Sequence, residues 1–171
     1  MAGNKDIANN SGKLKEVTAS QTSAGVADAG KIPALDSAGL LDISLMPVGV
    51  GAEVVIAASS ENLTAGNFVN LYDNAGTINV RKADATTNAK PAHGFVLANT
   101  TSPASATVYL ISAKNTGVTG LTVGLDYYLG TTAGGVVSTA PSASGNIVQF
   151  LGRAISATSL PFIGDSYFEL V

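Results

Sequence analysis

The chain contains no cysteine, no tryptophan and a single histidine, His93. Without thiols there is no disulfide and no thiolate metal site, and the redox compartment leaves no mark on the sequence. Charge is scarce as well. Asp, Glu, Lys and Arg make up 12% of the residues, about half the ~25% usual for soluble domains. The formal net charge is −3 and no basic cluster exists to neutralise phosphates, so nucleic acid is not an expected partner. Long hydrophobic runs are missing too. The most apolar stretch, Val48 to Ala58, is interrupted by Glu53, whereas a membrane span needs roughly 18 apolar residues. No membrane segment is expected. Lys5 and Asp6 follow Met1 with no apolar stretch, so a secretory signal is not expected either.

What is present is glycine, threonine, serine and valine spread over 171 residues, enough for one domain or one domain plus an extension. That composition favours short strands and many turns over helices. So little charge also suggests a surface partly covered by other copies or partners.

The clearest order in the sequence is a repetition. Leu121-Thr122-Val123-Gly124 restates Leu63-Thr64-Ala65-Gly66, 58 residues on. Laying 61–113 over 119–171 without a gap also pairs Leu71 with Leu129, Gly76 with Gly134, Gly94 with Gly152, Pro103 with Pro161 and Tyr109 with Tyr167. Matched glycines and prolines fall where turns belong, and a duplicated unit is the simplest account. Strands are expected near 53–57, 68–72, 77–82, 94–98 and 107–112, then 126–129, 136–139, 147–155 and 166–170. In Thr77-Ile78-Asn79-Val80-Arg81 the alternation places Ile78 and Val80 inward. The fold class expected is all-β: a compact antiparallel barrel or sandwich built from two tandem repeated units, preceded by an extended N-terminal arm. The domain division is 1–47 for the arm and 48–171 for the duplicated domain.

The arm reads differently. Residues 1–27 are small and polar, with Asn9-Asn10-Ser11-Gly12 as a breaker cluster, and alone in water they are expected to be disordered. Pro33 keeps Gly30-Lys31-Ile32 extended, and Asp36-Ser37-Ala38-Gly39 reads as a turn. Leu40, Leu41, Ile43, Leu45 and Met46 then gather in a cluster, at most one helical turn, that Pro47 stops. Either the cluster caps the β domain's own core or it docks on another subunit. The long polar leader favours docking, because a core cap needs no leader. The candidate partner-binding residues are therefore Ile32, Leu35, Leu40, Leu41, Ile43, Leu45 and Met46. Burying the five of the cluster gives about 8–15 kcal/mol gross, against about 20–40 kcal/mol to order some ~20 backbone residues. Apolar burial alone does not hold such an arm. Backbone hydrogen bonds, or several arms acting together, are required.

No catalytic constellation emerges. His93 aligns with Leu151 in the other copy and reads as structural. Asp73-Asn74-Ala75-Gly76 lacks the alternating oxygens and terminal Glu of a calcium loop, and its counterpart Thr131-Thr132-Ala133-Gly134 carries no carboxylate, so it reads as a hairpin turn. Gly164-Asp165-Ser166 has no histidine after it, and no Gly-x-Ser-x-Gly elbow occurs. Gly49-Val50-Gly51 lacks the rest of a dinucleotide fingerprint. One ring of Tyr127-Tyr128 is expected in the core and the other at an interface. No metal, no cofactor and no enzymatic activity are expected.

Two features resemble bacteriophage virion proteins. Gly30-Lys31-Ile32-Pro33 followed by Leu35-Asp36-x-x-Gly39-x-Leu41-Asp42-x-Ser44-Leu45-Met46-Pro47 is similar to the linker near the N-terminus of phage fibre and head-fibre proteins. Leu121-Thr122-x-Gly124-x-x-Tyr127-Tyr128-Leu129, with Val148-Gln149-x-x-Gly152-x-Ala154-x-Ser156, resembles a β module of phage tail-fibre and capsid-decoration proteins. Gly66-Asn67-Phe68-Val69-Asn70-Leu71 with His93-Gly94-Phe95-Val96-Leu97 is similar to capsid-cement sequences. The resemblance spans 28–171. It implies a homotrimer on the exterior of the virion, assembled in the host cytoplasm, whose partner is the major capsid protein or another virion protein. A head decoration, cement or head-fibre protein is favoured, since no long shaft repeat or heptad occurs. The rivals are a short tail-fibre or receptor-binding protein recognising a host-surface glycan, and a carbohydrate-active enzyme. The enzyme would need paired carboxylates about 5–10 Å apart. Asp126 and Asp165 align with Phe68 and Thr107, and the sequence leaves their pairing open.

Overall fold

A computed structural model of the chain describes residues 5–46, 53–164 and 166–171. Pro47, Gly49-Val50-Gly51 and Asp165 lie outside the described residues. The chain divides into two compact units, Met1–Gly51 and Ala52–Val171.

The first unit contains a hairpin that the sequence period does not announce. Strand β1 (Lys5–Asn10) pairs antiparallel with β2 (Lys13–Thr18), from Lys5 opposite Thr18 to Asn10 opposite Lys13. The supposed breaker cluster is the hairpin turn. Ser11 (φ 55°) and Gly12 (φ 82°) are both left-handed, as a two-residue loop matched to strand twist requires, and Gly12 N–H donates to Asn9 Oδ1 at 2.9 Å. Past the hairpin, Ser20 N–H donates to Ile32 O (2.8 Å) and Ala34 N–H to Ser20 O (2.9 Å), so Ser20 runs beside an extended Pro33. Short 3-10 turns occupy Gly25–Asp28 and Ile43–Leu45. Among the described residues of this unit, Ala19 is the one buried hydrophobic. Hydrogen bonds rather than a core hold it.

The second unit is all strand and turn. β3 (Val54–Ser59), β4 (Phe68–Asn74), β5 (Thr77–Lys82), β6 (Gly94–Val96) and β7 (Ser105–Tyr109) close a barrel in the order β3-β5-β4-β6-β7. One parallel pair, β3 with β5, completes the closure. Then follow β8 (Lys114–Asn115), β9 (Asp126–Leu129), β10 (Val136–Val137), β11 (Ile147–Arg153), β12 (Leu160–Pro161) and β13 (Tyr167–Glu169). Four of them form a sheet in the order β10-β9-β11-β13, and β12 pairs with β8. The hairpin expected at Asp73–Gly76 joins β4 to β5. Ala75 (φ 53°) and Gly76 (φ 85°) repeat the left-handed pair of the first unit, and Gly76 N–H donates to Asp73 Oδ1 at 2.9 Å. Ile78 differs from expectation: it sits close to this turn and stays 51% exposed, while Val80 is fully buried.

Two hydrophobic cores result from strand alternation. Ala57, Leu63, Val69, Val80, Val96, Ala106 and Val108 pack together inside the barrel. Phe68 and Phe95, the neighbours of Val69 and Val96, belong instead to a second core with Leu121, Tyr127, Leu129, Ile147, Leu151 and Phe162. Strand β6 and the start of β4 are thus buried on both faces. Phe68 meets Phe162 edge-on at 5.5 Å and Phe95 stacks on Tyr109 at 5.6 Å, geometries worth about 0.5–1.5 kcal/mol each beyond area burial.

Local geometry recurs at the 58-residue spacing. Gly66 N–H donates to Val96 O at 2.8 Å and Gly124 N–H to Ala154 O at 2.8 Å. Val96 N–H bonds Asn67 O (3.0 Å) as Ala154 N–H bonds Leu125 O (2.9 Å). Val69 faces Gly94 as Tyr127 faces Gly152. Neither Gly94 nor Gly152 has room for a Cβ, which would stand 2.5 Å from Tyr109 O and 2.0 Å from Pro161 O respectively. The halves differ in closure: the barrel is shut by β3, whereas the later sheet stays open and β8 goes to β12.

Two turns meet backbone to backbone at Gly66 and Gly117. A Cβ on Gly66 would lie 2.3 Å from Gly117 O, and one on Gly117 would lie 2.4 Å from Gly66 N. Asn115, fully buried, seals the crossing by donating from Nδ2 to Gly66 O at 3.0 Å. Gly117→Ala is expected to cost at least the ~1–3 kcal/mol of overpacking, because backbone rather than a side-chain tip must move. Gly12→Ala meets nothing within 4 Å and is expected to cost only the ~1–2 kcal/mol of a left-handed residue. Thermal unfolding of both variants checks the order. Equal or reversed losses would contradict the packing account.

Candidate functional site

The expected partner-binding residues all fall in the first unit, on a loop shaped by three aspartates. Asp36 Oδ1 accepts from Ala38 N–H (2.8 Å) and Leu40 N–H (2.9 Å), while Asp36 N–H donates to Leu40 O (2.8 Å). This is the turn expected at Asp36–Gly39, with Gly39 at φ 76°. Asp42 caps the Ile43–Leu45 turn by accepting from Ser44 N–H at 2.9 Å. Ser44 Oγ in turn accepts from Ser23 N–H at 2.8 Å, and Gln21 Nε2 donates to Leu35 O at 2.7 Å. Asp28 accepts from Ala24 N–H and pairs with Lys31. The Ala24 N–H holds the Asp28 carboxyl below the usual carboxylate range, and the Ser44 hydroxyl and amide do the same for Asp42.

This scaffold turns apolar side chains outward. Leu35, Leu40, Leu41, Ile43 and Met46 are exposed, and Ile32 and Leu45 are half-buried. The hairpin adds residues that the sequence reading passed over. Ile7 and Leu14 are diagonal neighbours on one face of β1–β2, 74% and 78% exposed. Their signal was available in the resemblance of Asn9-Asn10-Ser11-Gly12 to Asp73-Asn74-Ala75-Gly76. Once the turn is recognised, the register puts Ile7 and Leu14 on the same side. A two-stranded hairpin is marginal in water without a third layer.

Several ionisable groups of the second unit make structural bonds. Asp126 lies across from Arg153 in the β9–β11 ladder and takes two bonds from it, at 2.7 and 3.3 Å. The Arg153 guanidinium keeps the Asp126 carboxyl below its ordinary range. Arg81 lies 4.3 Å over the Tyr72 ring and donates from Nε to Asn70 Oδ1 at 3.0 Å. Tyr127 is buried and its hydroxyl accepts from Thr122 N–H at 2.8 Å, while Tyr128 packs edge-on against Phe150. Among the described residues no three His, Asp or Glu side chains converge as a metal group would require. A cleft of ≈ 250 Å³ is lined by Pro91, His93, Ile111, Phe162 and Tyr167. Beside it Gln149 clamps Ala92, accepting its N–H at 2.7 Å and donating to its carbonyl at 2.9 Å.

The chain matches no protein-family model and no curated protein.

His93 gives a pH test of the structural assignments. Its Nδ1 accepts from Leu71 N–H at 3.1 Å, so the neutral ring carries its proton on Nε2. Burial lowers its pKa below the ordinary 6.5. The unfolded chain therefore binds the proton more readily, and stability falls as pH drops below 6.5. The loss levels off once pH passes the folded pKa. An NMR titration of the His93 ring is expected to give a midpoint below 6.5. A midpoint at or above that value would contradict the assignment.

Proposed function

We propose that this chain is a structural virion protein: a homotrimeric capsid-decoration, cement or head-fibre protein, with its N-terminal unit as the attachment device. The observation that carries this reading is the outward apolar row of the first unit. Leu35, Leu40, Leu41, Ile43 and Met46 are exposed on a segment held by backbone and aspartate hydrogen bonds. A preformed, coreless surface offers its apolar groups to a partner at low ordering cost. The resemblance of 30–47 to the linkers of phage fibre proteins supports the same role and makes the major capsid protein or another virion protein the partner. The second unit is the projecting module. We infer that it arose by duplication of one β unit, from the recurring hydrogen bonds at Gly66 and Gly124 and from the strand orders β5-β4-β6-β7 and β10-β9-β11-β13. Asp126, one of the two carboxylates a glycan hydrolase would use, is committed to Arg153.

Deleting residues 1–47 is expected to leave the second unit folded and to abolish incorporation into particles. Leu41→Asp with Leu45→Asp is the finer test. Each leucine contributes ~1.5–3 kcal/mol when buried, and a buried unpaired carboxylate adds its own penalty. With three arms per trimer the loss multiplies, so gel densitometry of purified particles is expected to find the protein absent rather than reduced. Normal occupancy of either variant would overturn the reading.

A further inference from the structure

Two aspartates of the N-terminal unit hold neighbouring amides, one directly and one through a serine. Asp28 Oδ2 accepts from Ala24 N–H, and Asp28 Oδ1 pairs with Lys31. One residue earlier, Ser23 N–H donates to Ser44 Oγ at 2.8 Å, across 21 positions of sequence. Ser44 is itself held by Asp42, which takes its hydroxyl and, at 2.9 Å, its amide N–H. Ser23 Oγ completes the group by accepting from Gly25 N–H at 3.1 Å. Residues 23 and 24 are thus latched to Asp28 on one side and to the Asp42–Ser44 turn on the other. The apolar row runs through that second turn, with Ile43 inside it and Leu41 and Leu45 on either side. No packing backs the latch, since Ala19 is the one buried hydrophobic among the described residues of this unit.

We propose that Asp28 and Asp42 form an acid-released latch: protonating them frees residues 23–24 from 42–44 and undoes the loop that presents the apolar row, while the second unit keeps its fold. Hydrogen bonds to an ionised carboxylate are roughly twice as strong as those to a neutral acceptor, so neutralising the pair weakens every tie in the latch. Both carboxyls are held below the ordinary 3.8, Asp28 by the Ala24 amide and Asp42 by the Ser44 hydroxyl and amide. The unfolded chain therefore takes up protons first; the stabilisation is complete above the ordinary value and is lost as pH falls through the folded values. The other charged groups of the unit act in the same direction or not at all. Lys31 faces Asp28 and is left unpaired when it protonates. Asp36 holds the Ala38 and Leu40 amides, and Lys5 pairs with Glu16. Asp6, Lys13 and Lys15 lie on the hairpin strands. Residues 1–47 hold four lysines against five acids, so full protonation leaves only positive charges, which repel. The second unit also loses carboxylate bonds in acid, but two apolar cores remain to hold it. That acid removes an attachment surface rests on the function proposed above; that it opens the latch does not.

The test is an NMR titration of the full chain from about pH 6 to about pH 2.5, wild type against the double variant Asp28→Asn with Asp42→Asn. Asparagine keeps the Oδ1 acceptor and cannot titrate. In wild type the nuclear Overhauser contacts between Ser23 and Ser44 are expected to vanish, with a midpoint below 3.8 that matches the side-chain carboxyl titrations of Asp28 and Asp42. Amides of the buried Val69 and Val108 are expected to keep their folded shifts over the same range. The double variant is expected to hold the Ser23–Ser44 contacts down to the lowest pH. Contacts that persist in acidified wild type, or that vanish at the same pH in both proteins, would overturn the latch. If the double variant lacks the contacts even at pH 6, the wild-type midpoints decide: a loss that does not track the two carboxyls overturns it. None of these outcomes touches the attachment reading, which the deletion of residues 1–47 tests separately.

Discussion

Strand β6 and the start of β4, Phe68 to Asn70, bury both of their faces, and the second unit is arranged around that requirement. Phe68 and Val69 are neighbours in sequence and lie in different cores, as do Phe95 and Val96. A strand buried on both sides needs a layer on each. The barrel's own curvature supplies the inner layer, and the open sheet with Phe162 supplies the outer one. Fully buried side chains of this size are worth ~1.5–3 kcal/mol each by area. Losing either layer would expose a row of them. The tight spots follow from the same requirement. Three layers in a small unit bring backbones together, and glycine stands where they touch: Gly66 on Gly117, Gly94 under Tyr109, Gly152 under Pro161.

The first unit is built on the opposite principle. It has hydrogen bonds without a core, and its aspartates replace packing as the source of local shape. Asp28, Asp36 and Asp42 each collect backbone N–H groups that would otherwise be unpaired in a turn, the ordinary use of aspartate in irregular chain. Such a scaffold leaves Leu35, Leu40, Leu41, Ile43 and Met46 exposed, and the proposed attachment role rests on that exposure.

Much of this was legible in the sequence, and the gaps have physical causes. Strands of five or more residues with alternating or continuous apolar character, such as 68–74, 77–82 and 147–153, announce themselves by period. The two-residue strands Lys114–Asn115 and Leu160–Pro161 are too short to have a period, and only tertiary pairing defines them. Asp73–Gly76 read as a hairpin turn because apolar alternation flanks it. Asn9–Gly12 makes the same turn between strands whose few apolar residues show no sustained period. Ile78 followed the alternation but sits beside a turn, where there is no layer to cover it. The apolar row at 32–46 was visible as composition. Its exposure was not, since that depends on where the aspartate-bonded turns aim the side chains.

The central claim is that the N-terminal unit holds the chain to a particle while the β unit projects from it. Electron cryomicroscopy of whole virions carrying the protein tests this most directly. The expected map has threefold density on the outer surface of the head, with residues 5–46 against the capsid shell and the β unit farther out. Density confined to the tail, or a β unit seated on the shell with the N-terminal unit free, would contradict it.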